Sequence, residues 1–114
     1  VERTTRVLVE RWHGRDRLAY ALTVRFAVTS TPAQLAMAGR LAAENAGLYV
    51  HTHLAENEDE VRQVAALHPV ARSYADVYAR AGLVRERSVF AHGIWLDDAD
   101  RRVLADGGAT IAHA

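Results

Sequence analysis

The sequence contains no cysteine, which excludes both disulfide frameworks and thiolate metal sites. Its 14 basic residues are balanced by 14 acidic ones, so no net charge is available to attract nucleic acid or an anionic membrane surface. No apolar run approaches the length of a membrane span, and the charged opening does not resemble a signal peptide. These features favour a globular cytoplasmic protein without nucleic-acid or membrane partners. The unusual feature is six histidines among 114 residues.

Short apolar runs alternate with capped helical patterns along the chain. Strands separated by helices predict right-handed crossovers and a parallel sheet. No glycine-rich phosphate-binding pattern follows any strand, which argues against a nucleotide-binding sheet. We therefore predict an α/β fold of TIM-barrel-like (β/α) units with about four strands, forming part of a barrel. The predicted strands are Leu18–Val24, Leu48–His53, Ser88–His92 and Ala109–Ala114.

The helical segments are marked by their capping residues. Thr31, Asn57, Ser73 and Asp97 each precede a helical pattern, and Gly47 is expected to end the first of these helices. Their expected inward-facing residues are Leu35, Ala38, Leu41, Ala42, Val61, Val64, Ala65, Val103 and Leu104. The acidic runs 56–60 and 97–102 are interpreted mainly as solvated helix starts.

Both ends of the chain look truncated. The residue Val1 is not an initiator methionine, and the patterned helix near it has no capping residue. The final strand stops without a turn or a polar tail. We expect residues 1–114 to be a partial barrel domain, truncated at both ends, although a small complete domain is the alternative.

Three histidines fall at or near the ends of predicted strands. His53, His92 and His113 would approach one another if their strands lie side by side, because the carboxyl ends of parallel barrel strands share one rim. Neutral imidazole is a common zinc ligand, and Glu56, three residues past His53, could move protons for a metal-activated water. The alternative is that each histidine is a hydrogen-bonded structural residue. His51 could be a ligand, a substrate contact or a hydrogen-bond partner of a ligand, and we favour the last role or a place in the pocket wall.

Arg25 and Phe26 follow the first predicted strand at the same rim. A guanidinium group there could hydrogen-bond to a planar, carbonyl-rich ligand, and a phenyl ring could pack on the ligand's face. The alternative is a surface arginine beside a core phenylalanine.

These residues also resemble a known family. The segments Thr23-Val24-Arg25-Phe26-Ala27 and His51-Thr52-His53-Leu54-Ala55-Glu56-Asn57 are similar to motifs of guanine deaminases, within the amidohydrolase superfamily. The segments 73–78, 91–94 and 111–113 continue the similarity in order, so that it extends from about residue 10 to the end of the chain.

The resemblance implies a metal-dependent (β/α)₈ barrel, usually homodimeric, that converts the small-molecule purine guanine to xanthine and ammonia. It implies that His53 and His92 are zinc ligands, that Glu56 is the proton shuttle, and that Arg25 binds the purine carbonyl with Phe26 beside it. It places His113 near the site but not as a ligand. Iron is a possible alternative to zinc, because histidine and carboxylate sites accept it.

The sequence also departs from the family pattern. The first His-x-His ligand pair of the family is expected upstream of this chain and its aspartate ligand downstream, so the isolated chain should bind metal poorly and have little activity. Val24 replaces a proline, and Ala114 replaces a cysteine. Two alternatives stay open: a related amidohydrolase acting on another aminated or chlorinated heterocycle, and a non-catalytic half-barrel scaffold.

Overall fold

The computed structural model describes residues 1–45 and 47–114. These residues form five α-helices and four strands, with one 3₁₀ turn after the first strand. Helices separate consecutive strands, and two helices lie between the second and the third. The helices are α1 (Glu2–Trp12), α2 (Pro32–Glu44), α3 (Glu58–Leu67), α4 (Tyr74–Arg80) and α5 (Asp98–Asp106). The strands are β1 (Ala21–Thr23), β2 (Tyr49–Leu54), β3 (Ser88–His92) and β4 (Thr110–Ala112), and the 3₁₀ turn is Ala27–Thr29.

The four strands form one parallel sheet in the order β1-β2-β3-β4. Each strand therefore pairs with the next one along the chain, as in consecutive units of a barrel. This arrangement confirms the predicted α/β class with parallel strands. The helices within the described residues are too short to form a membrane span.

Side chains alternate between the two faces of the sheet. Val50, Thr52 and Leu54 of β2 and Phe90 of β3 are buried on one face, whereas His51 is exposed on the other. The core therefore lies between one face of the sheet and the helices. The buried residues of α2 are Leu35, Ala38, Gly39, Leu41 and Ala42, which include the four predicted from the helical periodicity.

The predicted caps are confirmed at four helices. The side chains of Thr31, Asn57, Ser73 and Asp97 each accept a hydrogen bond from the backbone N–H three residues later. Helix α2 ends earlier than predicted, at Glu44 rather than near Gly47. The side chain of Asn45 donates to the carbonyl oxygen of Leu41 at 2.8 Å, which satisfies one of the free carbonyls at the helix end.

The first and last strands are shorter than predicted. Residues before Ala21 form a turn in which the N–H of Gly14 donates to the carbonyl of Leu18 at 3.0 Å, and Leu18 is half exposed. The N–H of Tyr20 donates to Nδ1 of His13 instead of pairing with another strand. The last strand ends at Ala112, before the predicted Ala114.

The acidic helix starts are less solvated than predicted. Glu60 and Asp100 are buried, whereas Ala65 is exposed, so Glu60 and Val64 form the inward side of α3. Periodicity correctly identified Val64 but could not show that a carboxylate would share its face. Asp100 is held by the guanidinium of Arg72 at 2.5 Å, which links α5 to the start of α4.

Candidate active site

The rings of His53 and His92 meet at the carboxyl ends of β2 and β3. Their centroids are 5.7 Å apart, and the ring planes lie 21° from parallel. The sequence placed these residues at neighbouring strand ends, and the structure places their rings on the same side.

Backbone geometry at the end of β3 makes this approach possible. His92 pairs in register with Leu54, which is fully buried on the helix-covered face, so regular alternation would direct His92 toward that face. His92 instead has a φ of 77°, in the left-handed region that only a few per cent of non-glycine residues adopt. The N–H of the following Gly93 donates to the carbonyl of Leu54 at 2.7 Å and fixes the turn.

The ring of His53 is oriented by the carbonyl oxygen of Arg25. Nδ1 of His53 lies 2.6 Å from this oxygen, and the backbone N–H of His53 also donates to it at 3.3 Å. Because a carbonyl oxygen only accepts, Nδ1 carries a proton, and in the neutral ring Nε2 is therefore the nitrogen with the lone pair. An imidazole held by a backbone carbonyl in this way is the usual arrangement of a metal-binding histidine.

Glu56 lies in the loop between β2 and α3, directly beside this pair. One of its carboxylate oxygens, Oε2, is 3.6 Å from Nε2 of His92, and its side chain is half exposed. Nδ1 of His92 lies 3.4 Å from the carbonyl oxygen of Ala114. The carboxylate of Glu56 and the two imidazoles therefore lie together at the carboxyl ends of β2 and β3.

Arg25 and Phe26 lie beside His53 at the same edge of the sheet. The ring of Phe26 meets that of His53 edge-on, with centroids 6.3 Å apart. The guanidinium carbon of Arg25 lies 5.2 Å from the centroid of Phe26, and the side chain is exposed. This geometry leaves the guanidinium group accessible to a ligand beside His53.

The two other histidines suggested by the sequence lie outside this cluster. His51 is exposed on the open face of β2, two residues before His53, and His113 is exposed just past β4. Neither makes a hydrogen bond or ring contact with His53 or His92 within the described residues. A role near the site stays a prediction for both residues.

The donor atoms fit part of a zinc site. Two neutral imidazoles are typical zinc ligands, and the tautomer of His53 leaves the correct nitrogen free. Catalytic zinc sites use three protein ligands, and the described residues contain no group of three or more histidine, aspartate or glutamate side chains placed to hold an ion. Within these residues, the His53 and His92 pair therefore supplies an incomplete ligand set.

Two tyrosines of α4 lie beneath the site, and sequence reasoning assigned them no role. The Tyr78 hydroxyl donates to the carbonyl of His53 at 2.8 Å, accepts from the N–H of Ala27 at 3.0 Å, and lies 3.2 Å from the Thr52 hydroxyl. The Tyr74 hydroxyl donates to Glu60 at 2.6 Å. Burial raises the pKa of both tyrosines above their ordinary value, which keeps their hydroxyls protonated as donors. The sequence signals were their spacing of four residues on one helix and their place in the segment 73–78, which resembles a family motif.

Several known proteins are similar to this chain in sequence and in fold. The chain is 47% identical over 105 residues to guanine deaminase of Escherichia coli K12, covering 92% of this chain and 24% of that protein. It is 40% identical over 108 residues to a probable guanine deaminase of Deinococcus radiodurans, covering 95% of this chain and 25% of that protein. The solved structure of E. coli guanine deaminase superposes with a TM-score of 0.97 at 43% identity, over 99% of this chain and 26% of that one.

The chain thus spans about a quarter of the length of these relatives. The profile of the amidohydrolase family matches residues 2–114, which is nearly all of the sequence. Together with the parallel sheet and the histidines at its strand ends, this match shows that the chain belongs to the amidohydrolase family.

Proposed function

We propose that this chain is a segment of a longer zinc-dependent hydrolytic deaminase that converts guanine and water to xanthine and ammonia. The observation that carries the proposal is the convergence of His53, His92 and Glu56 at the carboxyl ends of β2 and β3. The similarity to curated guanine deaminases over more than nine-tenths of the chain supports the choice of substrate.

His53 and His92 would hold the metal through their Nε2 atoms. When bound, zinc would lower the pKa of a coordinated water and so supply a nucleophile near neutral pH. Iron is the alternative metal, because the same ligand types accept it. The hydrogen bond from Nδ1 of His53 to the carbonyl of Arg25 orients the ring and, in the neutral imidazole, makes Nε2 the nitrogen that can bind a metal.

Glu56 is the proton-transfer group in this proposal. Its carboxylate takes a proton from the attacking water and delivers a proton to the departing amino nitrogen, so that ammonia leaves as a neutral molecule. Its Oε2 lies 3.6 Å from Nε2 of His92, and its side chain is half exposed, so water can reach the carboxylate.

Arg25 and Phe26 would bind the purine. The exposed guanidinium group donates hydrogen bonds to a carbonyl oxygen, and the phenyl ring packs against the planar heterocycle. Both residues lie beside His53, so a purine bound by them would place its amino-bearing carbon near the proposed metal.

In this proposal, residues 1–114 supply only part of the barrel and part of the ligand set. We propose that residues 1–114 form part of a barrel domain and that the remaining metal ligands come from other segments of the protein. The isolated chain should therefore have little activity. The exposed face of β2 and the edges of β1 and β4 are surfaces that further strands, or a second copy in a homo-oligomer, would cover. We also propose a cytoplasmic location.

Substrate assays of the full-length protein test this function. We expect turnover of guanine and little or no turnover of adenosine or an aminated triazine. Replacement of Arg25 by alanine should raise KM for guanine, because it removes the donor to the purine carbonyl. Absence of guanine turnover would reject the proposal. Turnover of another heterocycle instead of guanine, with no effect of Arg25→Ala, would identify a related amidohydrolase.

A further inference from the structure

Glu60 is a buried carboxylate in the first turn of α3. Only 6% of the residue is exposed, and none of the ion pairs among the described residues includes it. A buried carboxylate is costly unless hydrogen bonds replace its lost hydration. Its partners therefore indicate what this side chain does.

The carboxylate joins two separate segments through its two oxygens. Oε1 accepts from the Tyr74 hydroxyl of α4 at 2.6 Å, and Oε2 accepts from the backbone N–H of Glu56 at 3.2 Å. The N–H of Glu60 itself donates to the side chain of Asn57 at 2.9 Å. The side chain of Glu60 thus holds the backbone of the loop on which Glu56 lies.

That loop needs such support. Ala55, immediately before Glu56, has a φ of 48°, in the left-handed region that is unfavourable for residues with a Cβ. The side chain of Glu56 is half exposed, so packing contributes little to its position. The hydrogen bond from its N–H to Glu60 therefore restrains the carboxylate relative to His92.

We propose that Glu60, oriented by Tyr74, is a positioning residue for Glu56 in proton transfer. This inference rests on the proposed function, because it assigns to Glu56 the role given there. Glu60 itself touches neither substrate nor metal. Because proton transfer depends on the donor–acceptor distance, a looser Glu56 should slow the chemical step more than it weakens substrate binding.

The test compares Glu60→Gln with Glu58→Gln in the full-length, metal-loaded protein. Both variants remove one negative charge from the first turn of α3, but Glu58 is exposed and lies 3.9 Å from Arg62. A glutamine at position 60 replaces one carboxylate oxygen with an NH₂ group and removes the charge. The N–H of Glu56 then either faces that NH₂ group or donates to a neutral oxygen, and both arrangements are weaker than its hydrogen bond to the carboxylate. We expect kcat of Glu60→Gln to fall about 10- to 100-fold with KM and metal content unchanged, and Glu58→Gln to match the wild type.

Hydrogen exchange supplies a second measurement that does not depend on activity. The amide of Glu56 should exchange faster in Glu60→Gln than in the wild type or in Glu58→Gln, when followed in a peptide covering residues 54–58. Tyr74→Phe should also lower kcat and speed exchange at the Glu56 amide, but by smaller factors than Glu60→Gln. The double variant should be no worse than Glu60→Gln alone, because both residues act through one hydrogen-bonded chain.

Equal kcat values for Glu60→Gln and Glu58→Gln would overturn the inference, as would unchanged exchange at Glu56. A parallel loss of metal and of kcat would also overturn it, because that pattern indicates a general structural role. If Glu60→Gln fails to fold, Tyr74→Phe decides between the outcomes by the same two measurements. If the wild type does not act on guanine, the proposed function fails, and the exchange rates alone then support or overturn the positioning of Glu56 by Glu60.

Discussion

The ring of His92 stacks on the ring of His53, although regular strand alternation would direct the two to opposite faces of the sheet. His92 pairs with the fully buried Leu54, and its left-handed backbone turns the ring back toward His53. Unfavourable backbone conformations of this kind cluster at functional sites, where the surrounding structure maintains them. The bend at the end of β3 therefore belongs to the site itself.

Replacement of His53 or His92 by alanine should strip the metal from the full-length protein, because each removes one imidazole donor from the proposed ligand set. His51→Ala, on the same strand as His53 but outside the ring cluster, is the matched control and should retain stoichiometric metal. Elemental analysis of the purified variants measures the result. Full metal content in both His53→Ala and His92→Ala would contradict the assignment.

Glu56→Gln should keep its metal and fold but lose about 10²- to 10⁴-fold in kcat, the range typical of a general acid–base group. The amide preserves the shape of the side chain while it removes the group that accepts a proton. Steady-state kinetics with guanine, together with elemental analysis, measure the effect. The neighbouring exposed Asp59→Asn serves as the control, and a Glu56→Gln variant as active as this control would rule out proton transfer by Glu56.

Tyr78→Phe should lower the free energy of unfolding by about 1–3 kcal/mol. It removes one hydroxyl that serves the N–H of Ala27, the carbonyl of His53 and the hydroxyl of Thr52 in a fully buried position. Chemical denaturation measures the loss. Tyr20→Phe removes a hydroxyl from a half-buried ring and should have a smaller effect. Equal stability of the two variants would show that the hydrogen bonds of Tyr78 contribute little.

Asp76→Asn should weaken the fold in a pH-dependent manner. The Arg80 side chain, at 2.8 Å, and the N–H of Arg72 both donate to the Asp76 carboxylate and lower its pKa. A carboxyl group whose pKa is lower in the folded than in the unfolded state stabilises the fold above the unfolded pKa. That stabilisation is lost as the pH falls through the folded pKa.

The wild type should therefore be more stable than Asp76→Asn near neutral pH, by a few tenths of a kcal/mol to about 1 kcal/mol. This difference should shrink as the pH falls below about 4, near the ordinary pKa of aspartate. Thermal unfolding at several pH values measures it. Asp98→Asn, at an exposed ion pair with Arg101, is a suitable comparison. A difference that stays constant down to low pH would contradict the assigned cause.

Much of the fold could be predicted from local sequence. Thr31, Asn57, Ser73 and Asp97 all cap helices because their short polar side chains reach free N–H groups within their own turn. The predicted start of β1 was too early. The residues before Ala21 instead make hydrogen bonds in a turn that His13 and Leu18 close. Capping is a contact between residues close in sequence, whereas the extent of a strand depends on the strand beside it.

The site was predicted only in part, for the same physical reason. The positions of His53 and His92 at strand ends, and of Glu56 in the loop after β2, followed from the order of strands and helices. The buried carboxylate of Glu60 did not, because an acidic residue near a helix start is usually solvated. Its burial depends on Tyr74, which comes from a different helix.

The sequence by itself determined the order of the elements, their caps and the placement of histidines at neighbouring strand ends, because these depend on contacts within a few residues. Only the tertiary structure decided that His92 turns back toward His53, and that two tyrosines of α4 support the site from below. Those relationships join atoms more than ten residues apart, where the packing of whole elements sets the distances.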